Sequence, residues 1–119
     1  MPKGKRLTAQ QIMDNYHSGE HAAYADAEAH AGRNFTSDEF WAGKLYEAQR
    51  LSGDSSLYQN IEKHGQKKPI LINQKDQEIV DGHHRLVSLY HMNPHQFVKY
   101  RTINRYAYDS EGNLQAKDA

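Results

Sequence analysis

The chain contains no cysteine. That excludes disulfide cross-links and thiolate metal ligation, and with no charged-then-apolar leader at the start it points to the cytoplasm. Long hydrophobic runs are also missing: no window of about 18 apolar residues occurs, so no membrane insertion is expected. Hydrophobic residues make up 37% of the 119 positions, below the roughly 45–50% apolar usage of ordinary domains. One domain with a modest core fits this size, with part of the chain loosely held or dependent on a partner. No sign of charge predominates, since 15 basic side chains balance 15 acidic ones. Residues 1–6 are basic, residues 7–51 carry three positive against seven negative side chains, and residues 52–105 carry eight against five. This is not the strongly basic face of a non-specific DNA binder, and a mildly basic second half suits a small anionic ligand.

What is present reads as an α+β domain: a small mixed sheet flanked by helices, with an N-terminal helical extension. Thr8 and Gln11 form a capping-box pattern ahead of Ile12, Met13 and Tyr16, predicting a helix near 8–17 that Ser18-Gly19 ends. Residues 20–33 are alanine-rich with few large apolar side chains, an exposed helix or a connector. Thr36 and Glu39 make a second capping box for a helix over 37–51, with Trp41, Leu45 and Ala48 on one stripe. Ser55 or Ser56 caps a short helix that Gly65 stops. Pro69-Ile70-Leu71-Ile72 and Glu78–Asp81 read as neighbouring strands, a helix starts at His83 or His84 and ends before Pro94, and Phe97–Ile103 reads as a third strand. The expected division is 1–52 basic tail plus helical extension, 53–106 site-bearing domain and 107–119 polar C-terminal tail.

The stretch Glu78-Ile79-Val80-Asp81-Gly82-His83-His84-Arg85 carries the chemistry. A strand turning sharply into a helix aims free backbone N–H groups and the positive end of the helix dipole above the turn, an anion site that phosphate commonly fills. Gly82 lets a ligand approach the backbone closely. Arg85 adds a fork of donors. Asp81 can hold Mg²⁺ or accept a proton, and His83 and His84 titrate near neutrality. Asp81 and His83 are therefore candidate catalytic groups, and Gly82, His83, His84 and Arg85 candidate phosphate contacts. A plain turn with a surface ion pair at Arg85 is the alternative.

From Leu57 to Ile103, about 40% of the chain, the sequence resembles the ParB/sulfiredoxin superfamily. The matching pieces are a helix ending at Gly65, the Lys68-Pro69-Ile70-Leu71-Ile72 strand, and Ile79–Arg85 as a strand running into a Gly-x-x-Arg turn. The resemblance implies that Gly82–Arg85 binds nucleotide phosphates, with ATP, ADP or CTP and Mg²⁺ as expected ligands, and it places Lys68 nearby as a further candidate phosphate contact or a solvated lysine. Sulfiredoxins carry a catalytic cysteine where His84 stands, so sulfinic-acid reduction is excluded. Asp-Gly-His-His-Arg is closer to the variant in the free-serine kinases. In that branch an N-terminal glutamate acts as base, and no motif before Leu57 places it here. A small NTPase or phosphotransferase is the first expectation.

Other readings stand beside it. Stand-alone copies resembling this one occur in phages and mobile elements, so a host-protein interaction through Phe40, Trp41 and Leu45 is the leading alternative. Core packing of those aromatics is the simpler use of the same residues. ParB-type segregation needs a DNA-reading helix-turn-helix, and the residues after the third strand are too few for one. A ParB-like nuclease would have to activate water with Asp81 and His83 alone. His84, His91 and His95 supply a zinc alternative, with His84 and His91 sharing a helix face and no fixed third ligand.

Overall fold

In the computed structural model, residues 6–50, 53–111 and 113–118 are described. The elements in chain order are β1 (Leu7–Thr8), α1 (Ala9–Asn15), β2 (His17–Ser18), α2 (Gly19–His30), α3 (Ser37–Gln49), α4 (Leu57–His64), β3 (Ile70–Asn73), β4 (Glu78–Asp81), α5 (His83–Met92), β5 (Phe97–Val98), β6 (Tyr100–Tyr108) and β7 (Leu114–Asp118). The α+β class holds, and the main sheet is mixed, with strand order β2-β4-β3-β6-β7. β3 is central, antiparallel to β4 and parallel to β6, and all four of its residues are buried.

Local chemistry sets the helix starts. Thr8, Thr36 and Ser56 each accept a hydrogen bond from the third backbone N–H of the following helix, and Gln11, Glu39 and Gln59 return one to the cap backbone. These reciprocal pairs satisfy donors that would otherwise be orphaned at a helix N-terminus. Gly65, at φ 79°, takes the left-handed turn that ends α4.

The core collects Ala9 and Ile12 of α1, Ile61 of α4, Ile70 and Ile72 of β3, Ile79 of β4, Leu86 and Leu89 of α5, and Val98 of β5. The N-terminal stretch expected as an extension thus fills the same core as the site-bearing half. Its short strands β1 and β2 also pair with β5 and β4.

Three local expectations change. α1 ends at Asn15, because Tyr16 closes the last turn on Ile12 O and the chain then straightens to pair with β4; Ser18-Gly19 starts α2 instead of ending α1. The third strand is broken at Lys99: its amide donates to Gln66 Oε1 at 2.7 Å, and its carbonyl accepts from Gln66 Nε2 at 2.7 Å and from the Ile70 amide at 2.9 Å. Within 107–119, expected as a polar tail, Ala107 and Tyr108 complete β6 and Leu114–Asp118 form β7 against it. A turn at Asp109, whose Oδ1 accepts the Glu111 and Asn113 amides, sends the chain back along the edge of β6.

Because Ile12 is fully buried in the shared core, Ile12→Ala is expected to cost roughly 2–5 kcal/mol. Urea unfolding measures it, and a loss under about 0.5 kcal/mol, the scale of a surface substitution, would mean that α1 is an appendage.

Candidate functional site

β2 and β4 are parallel neighbours, and each runs straight into a helix. The first turns of α2 and α5 therefore emerge at the same end of the sheet, and α3 packs across α5 beside them. This arrangement brings Ser18 and Glu20 from one end of the sequence to His83 and His84 in its second half.

His83 is only 6% exposed. Its Nε2 lies 2.7 Å from Ser18 Oγ, and its Nδ1 faces Glu20 Oε2 at 3.5 Å. The rings of Phe40 and Trp41 lie against the imidazole, each centroid 5.7 Å away. Ser18 Oγ also accepts the His21 amide as the α2 cap. With the Glu20 carboxylate facing Nδ1, the Nδ1–H tautomer points its proton at Glu20 and leaves Nε2 to accept from the Ser18 hydroxyl. Burial pushes the imidazole down to about pKa 4, against the opposing pull of Glu20, and the Lys44 charge lowers it further. His83 is therefore neutral at pH 7 and turned inward, engaged on both nitrogens.

The network continues on α3. Lys44, 12% exposed at its side chain, is paired with Glu20 and lies 3.8 Å from Glu47. Glu47 Oε1 is 3.0 Å from His84 Nε2, and this bond holds the Glu47 carboxyl below its ordinary range. His84 stands half-buried at the rim.

Arg85 occupies the other side of the turn. One guanidinium nitrogen donates to the Pro69 carbonyl at 3.2 Å and reaches Asp81 Oδ2 at 3.4 Å. Its Nε is buried with no hydrogen-bond partner among the described residues. Asp81 is exposed, and Lys68 is exposed on the loop whose Pro69 carbonyl holds Arg85. Gly82 caps α5 at φ 95°, with no side chain accepting from the helix's first amides. A Cβ there would meet Ile70 Cδ1 at 2.9 Å and Ile70 Cα at 3.3 Å.

The structure thus gathers Asp81, Gly82 and Arg85 with the Lys68 loop, and separates His83 from them by turning it inward. Phe40 is 3% exposed and packs on His83, so it offers no surface to a partner, while Trp41 and Leu45 are half-buried. The histidines of the zinc alternative do not converge: His84 is taken by Glu47, and His91 Nδ1 lies 2.8 Å from the Tyr58 hydroxyl. Among the described residues no group of three or more His, Cys, Asp or Glu is placed to hold a metal ion. A cleft of about 750 Å³ lies elsewhere, lined by Tyr58, Glu62, His64, Leu89, His91 and Phe97, and includes no residue of the Asp81–Arg85 turn.

Ser18, Glu20, Lys44 and Glu47 were not singled out by the sequence. Ser18 carried a signal as a serine ahead of a helix, but its partner His83 lies 65 positions away. No helix among the described residues is long and apolar enough to cross a membrane. Comparisons with known family models, curated proteins and solved structures returned no match for this chain.

Two outcomes follow from this geometry. A histidine whose folded pKa is lowered from 6.5 to about 4 stabilises fully above pH 6.5, and that stability is lost as pH falls toward 4. The wild type is expected to lose about 2 kcal/mol from this group between pH 7.5 and 5. His83→Gln starts less stable, and its deficit shrinks over that range; parallel urea-unfolding curves for the two proteins would refute the assignment. Gly82→Ala combines a left-handed backbone with a collision against Ile70 and is expected to cost about 2 kcal/mol or more, read in the same way.

Proposed function

We propose that this chain is a nucleotide-binding domain of the ParB/sulfiredoxin-like kind, with the Gly82–Arg85 turn and Lys68 as its phosphate site and a small phosphotransferase or NTPase as its class. The observation that carries the reading is the start of α5, which has no side-chain cap, beside the Arg85 guanidinium of the same turn. Backbone amides and an arginine fork at one helix end are the donors an oxyanion needs. Asp81 is exposed at the end of β4, where a Mg²⁺ carried by ATP, ADP or CTP would find a carboxylate. Glu20, which stands against His83 at the same end of the sheet, is our candidate for the N-terminal glutamate base of the kinase branch. On this reading Glu20 and His83 supply the proton-accepting pair behind the phosphate site, and His84 and Arg85 line its front.

Docking to a host protein through the Phe40-Trp41-Leu45 face is the weaker reading. Its central aromatic is used inside the fold, and only Tyr46 among the large hydrophobic side chains of α3 is strongly exposed.

A melting-temperature screen against ATP, ADP, CTP and GTP, each with and without Mg²⁺, tests the proposal. A nucleotide at about 100 times its Kd adds roughly 2.7 kcal/mol of stability to the state that binds it. The expected result is a clear upward shift with at least one nucleotide, lost in Arg85→Ala, whose ligand-free melting point stays close to wild type, and retained in Trp41→Ala. An equal shift in Arg85→Ala would overturn the site, and no shift with any nucleotide would overturn the function.

A further inference from the structure

We propose that Ser18 is a nucleophile, with His83 as its general base and Glu20 as the positioning residue that orients the imidazole, and that it accepts a phosphoryl group from an activated phosphorus ester or anhydride. Three observations carry this. The Ser18 hydroxyl oxygen lies 2.7 Å from His83 Nε2, while the opposite ring nitrogen faces the Glu20 carboxylate. This is the order of contacts that activates a serine, hydroxyl to neutral imidazole to acid. Ser18 also sits where β2 turns into α2, so its oxygen lies at a strand-to-helix junction beside the start of α5. Finally, a buried helix cap does not need an imidazole: Ser56 is 1% exposed and caps α4 with its Oγ accepting the Gln59 backbone N–H, and no side chain among the described residues bonds that oxygen.

Ser18 is itself only 5% exposed, so reaction requires a local opening beside it that leaves Glu20 on His83. α2 buries none of its residues, and its first turn is held by Glu20 to His83 and Lys44 and by His21, whose Nε2 lies 3.0 Å from the Phe35 carbonyl and whose ring packs on Phe40. In the step itself, the Ser18 oxygen forms a bond to phosphorus, the bond from phosphorus to its leaving group breaks, and the serine proton passes to His83 Nε2. The choice of phosphorus as the electrophilic centre rests on the phosphate site proposed at Gly82–Arg85; the activation of Ser18 does not.

The test incubates the purified full chain with a fluorophosphonate, whose fluoride is the leaving group, and locates the adduct by intact mass and tandem mass spectrometry. Single labelling at Ser18 is expected, with Ser56 unlabelled. Ser18→Asn, which retains a good helix cap, abolishes it. His83→Gln slows it by about 100-fold or more, the usual worth of a general base. Glu20→Gln lowers the maximal labelling rate while the half-saturating reagent concentration stays unchanged, and Glu20→Asp restores part of the rate. No adduct at Ser18, or an unchanged rate in a folded His83→Gln protein, overturns the proposal. Labelling of a protein that shows no melting shift with any nucleotide upholds the nucleophile and overturns the nucleotide reading alone.

Discussion

A neutral imidazole held inside the protein is the constraint on which the rest of this structure depends. His83 is the first residue of α5, yet it points inward, bonded to Ser18 and facing Glu20, under the rings of Phe40 and Trp41. Removing either polar partner would leave a buried nitrogen unsatisfied, which costs more than the bond itself contributes. Through this one side chain the strand-to-helix junctions of β2 and β4 are locked together and α3 is fixed against both. The aromatic pair of α3 is therefore explained by the histidine it covers.

The same junction divides the Asp81–Arg85 turn into two faces. Inward, His83 joins a network of Ser18, Glu20, Lys44, Glu47 and His84 drawn from four elements. Outward lie the uncapped start of α5, the Arg85 guanidinium, which donates to the Pro69 carbonyl and Asp81, and the Lys68 loop. Gly82 makes this division possible, because its left-handed backbone lets β4 turn within van der Waals reach of Ile70. A side chain at that position would push the turn off β3 and move both faces at once.

Where signals are local, the sequence was legible. The Thr8/Gln11 and Thr36/Glu39 boxes, the Ser56 cap and the Gly65 stop place the helix ends within a few residues, since each is decided by hydrogen bonds inside one turn. The Asp81–Arg85 turn was visible for the same reason. Errors arose where a distant partner decides. Lys99 breaks a strand because the Gln66 side chain bonds its backbone, and β7 forms because β6 offers it an edge. Neither event has a signature in the residues that undergo it.

By itself, then, the sequence determined the α+β class, the helix boundaries and the chemical content of one turn, because periodicity, capping and glycine act over a few residues. Only the tertiary structure decided which way each of those side chains faces. His83 and His84 are adjacent in the chain, yet one is locked against Ser18 and the other pairs at the rim with Glu47. Successive residues at a helix start point about 100° apart, so packing of α2 and α3 against α5 separates them. The parallel pairing of β2 with β4 did the rest, carrying Ser18 and Glu20 across more than half the chain to meet the histidine.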